Sequence, residues 1–210
     1  MKTIILTLPG FFEHETACVN ALFEHGMTRL HLRKPKATER ELAEWIGQIA
    51  PPFRPRIVLH DHYALARTFL LGGIHLNGRH PEAPAWYDEV RSACLAQRPE
   101  PFTLSRSCHS IAELEQHLPL CHYLFLSPIF DSISKEGYGA AFSRQELEEA
   151  RARGLLSDKV YALGGVSGER LDEVSRLGFH GAAILGDLWQ GLPLPLPVLL
   201  SRLESYLPTH

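Results

Sequence analysis

The stretches VYALGGVSGERL (residues 160–171) and FHGAAILGDLW (179–189) decide how the rest of the chain is read. Val160 to Leu163 is a short apolar run that stops at Gly164-Gly165, Ser167 to Leu177 has helical spacing, and Ala182 to Leu185 is a second buried run that stops at Gly186. The order is strand, glycine turn, helix, strand, glycine turn. Where two neighbouring parallel strands end in glycine, backbone N–H groups can approach an anion, and a helix N-terminus adds positive partial charge. The segment therefore reads as a phosphate seat of the kind that follows the last two strands of an eight-stranded α/β barrel. The plainer alternative is that these glycines only make tight connections.

Six earlier strands are needed for that reading, and the chain supplies them. Thr3 to Leu8, Leu30 to Arg33, Arg56 to His60, Ile74 to Leu76, Phe102 to Ser105 and Tyr123 to Leu126 are short apolar runs. Helical patterns at Glu15–His25, Thr38–Ile49, Tyr63–Leu71, Trp86–Leu95 and 110 onward separate them. Thr38-x-x-Glu41, Ser110-x-x-Glu113 and Ser143-x-x-Glu146 have capping-box spacing, and Pro51-Pro52 stops the second helix. Short, continuously apolar strands alternating with helices mean a parallel sheet covered by helices. The expected fold is α/β, a TIM (β/α)8 barrel forming one domain over residues 1–210. Gly191 to Pro197 (GLPLPLP) reads as an extended connector to a last helix, Val198 to Leu207.

Composition narrows the function. The 210 residues are 45% apolar and carry a net charge of -3, so no basic surface for nucleic acid is expected and an anion site must be local. Four cysteines without CxxC spacing fit reduced thiols in a cytoplasmic protein. No run approaches the ~20 apolar residues that cross a bilayer, so no membrane partner is expected.

Chemistry in such a barrel sits on the loops after the strands. There the chain places His31 and Arg33, with Lys34 and Lys36 nearby; His60 and Asp61; His75 and Asn77; Ser105, Arg106, Ser107 and His109; Ser127, Ser132, Ser134 and Lys135; and Gly164, Gly165, Leu185, Gly186 and Asp187. Cations, hydroxyls and glycines in these positions suit a small phosphorylated or carboxylated ligand. His60-x-His62 with His75, His109 and Asp187 also suggests a barrel metallohydrolase, but residues two apart after strand three are a poor match to an HxH pair on strand one. Arg79 and Lys36 read as solvated loop charges.

Seven motifs in order, HLRKP (31–35), VLHD (58–61), GIHLN (73–77), SRSCHS (105–110), SPIFDSISK (127–135), ALGGV (162–166) and GAAILG (181–186), resemble the thiamine phosphate synthase / thiazole tautomerase (TenI) superfamily. The resemblance spans almost the whole chain. It implies a TIM barrel, a homodimer, and thiazole phosphate bound on the loops after strands seven and eight.

The two branches of that superfamily differ in chemistry. A synthase joins a pyrimidine diphosphate to thiazole phosphate and resembles this chain at Ser132, Ser134 and Lys135. Its QxRxK pattern is replaced here by His31, Arg33 and Pro35, its Asn-Asp by His60-Asp61, and its second acidic magnesium ligand falls near Arg79. On that branch Asp61 holds Mg2+. The tautomerase branch has HxR after strand two, as in His31-Leu32-Arg33, and RSxHS after strand five, as in Arg106 to Ser110. This closer resemblance implies a thiazole tautomerase in which His109 is the acid/base residue and no cofactor is needed. On that branch Gly164, Gly165, Leu185 and Gly186 hold the phosphate, and His31, Arg33, His60, Asp61, Ser107, Ser132, Ser134 and Lys135 contact substrate. Histidine suits proton shuttling because its pKa of about 6.5 lets it accept and donate near neutrality. The remaining alternatives are a Mg2+-dependent synthase and a non-catalytic thiazole phosphate-binding protein.

Overall fold

A computed structural model describes residues 1–97, 100–131 and 139–207. The strands are β1 (Lys2–Leu6), β2 (Leu30–Leu32), β3 (Ile57–Leu59), β4 (Gly73–Leu76), β5 (Thr103–Cys108), β6 (Tyr123–Leu126), β7 (Val160–Leu163) and β8 (Gly181–Ile184). They close in that order into a barrel, with parallel pairing along β2-β3-β4 and along β6-β7-β8-β1. The fold is thus the α/β barrel that the strand count implies. Apart from Lys2, Arg106, Ser107 and Leu163, the strand residues are buried. Burial on both faces is why these runs are continuously apolar instead of alternating.

Two compact units make up the chain, Leu6–Ser105 and Met1–Ile5 with Arg106–His210. In the first, α1 (Glu15–Glu24), α2 (Glu39–Gly47), α3 (Ala64–Thr68) and α4 (Tyr87–Gln97) follow the strands. Thr38 caps α2 reciprocally, its hydroxyl accepting from Glu41 N at 3.2 Å while the Glu41 carboxylate accepts from Thr38 N at 2.7 Å. Pro51–Arg56 is a 3-10 turn, so Arg56, read as the start of the third strand, lies before β3.

In the second unit α5 (Ile111–His117), α6 (Arg144–Ala152), α7 (Leu171–Leu177), α8 (Gly186–Trp189) and α9 (Leu196–Glu204) take their places. Several boundaries differ from the sequence reading by a residue or more, and three of them change the local picture. β5 runs three residues past Ser105, because Arg106-Ser107-Cys108 continues the ladder although its polarity reads as loop. The helix expected from Ser167 opens instead as a 3-10 turn, Gly168–Arg170, before α7. The connector is shorter than GLPLPLP: α9 already starts at Leu196 with Pro195 as N-cap, since Pro197 in the first turn lacks an N–H that the helix does not need.

One buried ion pair anchors the first unit. Lys34, expected near the ligand loops as a cation, is 1% exposed, and its ammonium donates to both Glu15 carboxylate oxygens (2.7 and 2.8 Å) and to Gly10 O (2.6 Å). Trp45 Nε1 donates to the same carboxylate at 3.1 Å. Burial raises the Glu15 pKa and lowers that of Lys34, and their mutual attraction opposes both shifts. Every donor of Lys34 has an internal acceptor, so it is spent on joining the loop after β2 to α1.

Removing one partner strands the other charge in a dry site. Lys34→Ala is expected to lower unfolding free energy by about 3–5 kcal/mol in urea titrations, whereas Lys34→Met combined with Glu15→Gln recovers most of the loss. A single-variant loss below about 1 kcal/mol would show that water reaches the pair.

Candidate active site

Three histidines come together in the Leu6–Ser105 unit. His31 lies on β2, His75 on β4, and His60 one residue past β3. Parallel register sets His31 level with Val58 and Leu59 level with Ile74; since successive side chains alternate faces, His60 and His75 follow onto the same side. The rings of His60 and His75 stack at 4.1 Å, and His31 meets both edge-on at 5.1 Å. His31 Nδ1 and His60 Nε2 share a hydrogen bond of 2.9 Å. His75 Nδ1 bonds to Ser105 Oγ at 2.8 Å, while the Ser105 hydroxyl donates to Ile74 O. All three rings are buried. Burial, reinforced by His75 and Arg29, holds His31 well below the usual imidazole pKa; burial with His75, His31, Arg33 and Arg79 does the same to His60. His62 takes no part. Its Nε2 bonds to Ala37 O at 2.9 Å, so the HxH pair of a metallohydrolase is not formed.

Asp61, next in the chain, is engaged by Arg79. The guanidinium donates from Nε and Nη2 to Oδ1 (2.9 and 2.8 Å) and from Nη2 to Oδ2 (3.0 Å). Asn77 organises this contact, donating to His60 O at 2.7 Å and accepting from Arg79 N at 2.9 Å. Arg79 is thus an exposed loop charge, as its sequence position suggests, and it is paired with a buried carboxylate. Arg33 is half-buried, and its backbone is tied to Thr7 Oγ1.

In the unit of Met1–Ile5 and Arg106–His210, His109 follows β5 directly and is exposed. Three contacts set it. Its backbone N–H donates to Glu113 Oε2 at 2.7 Å, and Nδ1 lies 3.0 Å from Ser127 O and 3.4 Å from Ser127 Oγ. A carbonyl can only accept, so in the neutral ring that makes the shorter contact Nδ1 carries the proton and Nε2 holds the lone pair. Ser110 accepts from Glu113 N, as a capping serine should, but the Glu113 carboxylate reaches back one residue further than a capping box, to His109. That role is hidden in sequence, where Glu113 reads only as a cap. Ser107, on β5 instead of the following loop, is half-buried.

Gly164 and Gly165 have φ of 92° and 64°, conformations that favour glycine. They also have a packing reason. A Cβ on Gly164 would lie 2.8 Å from Pro128 Cα, and one on Gly165 would collide with Asp131 O and lie 2.8 Å from Phe130 Cβ. Ile129 and Phe130 N–H groups donate to Leu163 and Gly164 carbonyls. The glycines thus admit the segment after β6 as a packing partner. That contact lies on the Cβ side. Leu185 and Gly186 are half-buried at the start of α8, where Asp187 Oδ2 accepts from Gly168 N (2.9 Å) and Tyr206 Oη (2.8 Å). Asp187 is a brace between the 3-10 turn and the C-terminal segment. Ser132, Ser134 and Lys135 lie outside the described residues.

Residues 5–188 match the family model described as thiamine monophosphate synthase. The chain belongs to the thiamine monophosphate synthase family. It is 32% identical over 184 residues to the thiamine-phosphate synthase of Bordetella pertussis, covering 83% of this chain and 80% of that one. Identity to the enzyme of the same name from Listeria monocytogenes is 25% over 181 residues, covering 85% and 80%. A solved structure of thiamine phosphate pyrophosphorylase from Bacteroides thetaiotaomicron superposes with a TM-score of 0.82 at 34% identity, covering 98% of this chain and 95% of that one. No described helix of this family member is long and apolar enough to cross a membrane.

For this thiamine monophosphate synthase family member, a magnesium ion at Asp61 can be tested on the residues present. Mg2+ needs oxygen ligands, usually carboxylates with waters. Both Asp61 oxygens are taken by Arg79, and among the described residues Asp61 joins no group of three potential ligands. The residues do not fit the ion.

The Asp61–Arg79 pair is buried on one side and 43% exposed on the other. A double-mutant cycle with Asp61→Asn and Arg79→Ala is expected to give a coupling energy of about 1–2 kcal/mol in unfolding titrations, between the values for exposed and buried pairs. Coupling near zero would mean that the guanidinium leaves the carboxylate readily and that Asp61 is open to other ligands.

Proposed function

We propose that this chain is a thiazole tautomerase, aromatising a thiazole carboxylate phosphate tautomer with His109 as the proton-transfer group. The carrying observation is the hydrogen bond between His109 Nδ1 and Ser127 O, which leaves Nε2 as the basic nitrogen of an exposed imidazole. Tautomerisation moves one proton off carbon and returns one elsewhere. Nε2 accepts the first, the resulting imidazolium keeps Nδ1–H on the Ser127 carbonyl, and Nε2 gives the proton back at the second position. Backbone N–H groups of Gly164, Gly165 and Gly186 are the proposed phosphate donors. No diphosphate leaves in this reaction, so none of its steps needs a metal. The engagement of Asp61 by Arg79 supports the same choice.

The second reading is a thiamine-phosphate synthase, favoured by the names of the relatives in Bordetella pertussis and Listeria monocytogenes. One set of assays separates the two. Purified protein is given the thiazole carboxylate tautomer alone, followed by ultraviolet absorbance and proton NMR, and in a parallel reaction the pyrimidine diphosphate, thiazole phosphate and Mg2+. Aromatisation is expected, with kcat falling about 10²–10⁴-fold in His109→Ala. Formation of thiamine phosphate with no aromatisation would replace this reading by the synthase. Binding of thiazole phosphate without turnover in either reaction would make the chain a binding protein.

A further inference from the structure

The proton transfer at His109 does not use the cluster of His31, His60 and His75, although the family resemblance puts His31 and His60 against substrate. We infer that His31, His60 and His75 form a binding site for one transition-metal ion of the Zn2+ or Co2+ class, with Ser105 orienting one ligand. The argument is geometric. One ring nitrogen from each of the three lies within 4.8 Å of the other two, and the residues are 0%, 3% and 0% exposed. Tetrahedral coordination at Zn–N distances of about 2.0–2.1 Å needs nitrogens about 3.3 Å apart. The His31–His60 pair, at 2.9 Å, opens by a few tenths of an ångström, and the longest separation closes by at most about 1.5 Å. The rings of His60 and His75, stacked at 4.1 Å, must also turn until both lone pairs face the ion.

The outer contacts suit ligation. In metal sites the non-ligating ring N–H of histidine is held by a hydrogen-bond acceptor that sets tautomer and orientation. Ser105 is placed to do this for His75: with its own hydroxyl hydrogen directed to Ile74 O at 3.4 Å, it accepts from His75 Nδ1–H at 2.8 Å, and Nε2 is then the coordinating nitrogen. Between His31 Nδ1 and His60 Nε2 a single proton is shared. Metal entry moves that proton to the other nitrogen of its own ring, a tautomer shift that changes no charge and frees both facing lone pairs. Three imidazoles leave a fourth position for a water or an anionic oxygen.

Ligand type selects the ion: imidazole nitrogen favours Zn2+, Co2+, Ni2+ and Cu2+ over Mg2+ and Ca2+.

The test uses the full chain, free of any affinity tag and stripped with chelator, titrated with CoCl2 while the visible d–d absorption is recorded. The expected result is a tetrahedral-type band that saturates at one equivalent, is abolished by ZnCl2 and is indifferent to MgCl2. His31→Asn and His75→Asn should each weaken Co2+ binding by about 100-fold or more, and Ser105→Ala by roughly 10-fold. Because buried variants can fail to fold, a second measurement uses the unaltered protein: long-range 1H–15N spectra of the histidine rings with ZnCl2. Three ring systems should move to metal-bound shifts together. Absence of a saturating Co2+ band, or Zn2+ perturbing only exposed histidines such as His14 and His80, overturns the site.

Discussion

Parallel pairing is the constraint on which the site depends. Once β2, β3 and β4 are locked in register, side chains level with one another on adjacent strands must share a face, and three imidazoles from positions 31, 60 and 75 are pressed together in a buried space. An apolar trio would pack there more cheaply, because each polar ring must find partners to offset its desolvation. The partners exist, in the His31–His60 bond and the His75–Ser105–Ile74 chain, and they fix tautomers as well as positions. A core built this way is specified by hydrogen bonds where most barrel cores are specified by volume.

The second unit solves a different problem, holding one exposed imidazole in a single orientation. It uses elements made for other purposes. Glu113 belongs to the first turn of α5 yet takes the His109 N–H, and the Ser127 carbonyl at the end of β6 takes the ring proton. One hold is a main-chain carbonyl on the ring and the other a side-chain carboxylate on the backbone of the same residue.

Much of this was legible before the structure. Continuous apolar runs alternating with capped helices give eight strands and their parallel sense, and GG and LG at the ends of the last two read as turns. Legibility failed where polar residues extend an element or pair across it. Arg106-Ser107-Cys108 has loop-like polarity but completes β5, because backbone pairing continues past the last apolar side chain. Lys34 and Arg79 look like surface cations, and each is claimed by a carboxylate 19 or 18 residues away, a relation that only the closed sheet creates. The histidine trio is invisible for the same reason: nothing in 29- and 15-residue spacings signals proximity until register is known. His60-x-His62, the pair that does stand out, points its two rings to different places.

The double glycine after β7 has a consequence for engineering on this scaffold. Because Gly164 and Gly165 leave room for Pro128, Phe130 and Asp131 of the preceding connection, the two segments form one lock-and-key seam. Grafting a foreign connection after β6, the natural way to reprogramme specificity in such barrels, transplants only half of that seam unless the acceptor keeps a matching glycine pair. The portable module is the connection together with the two bare residues it rests on.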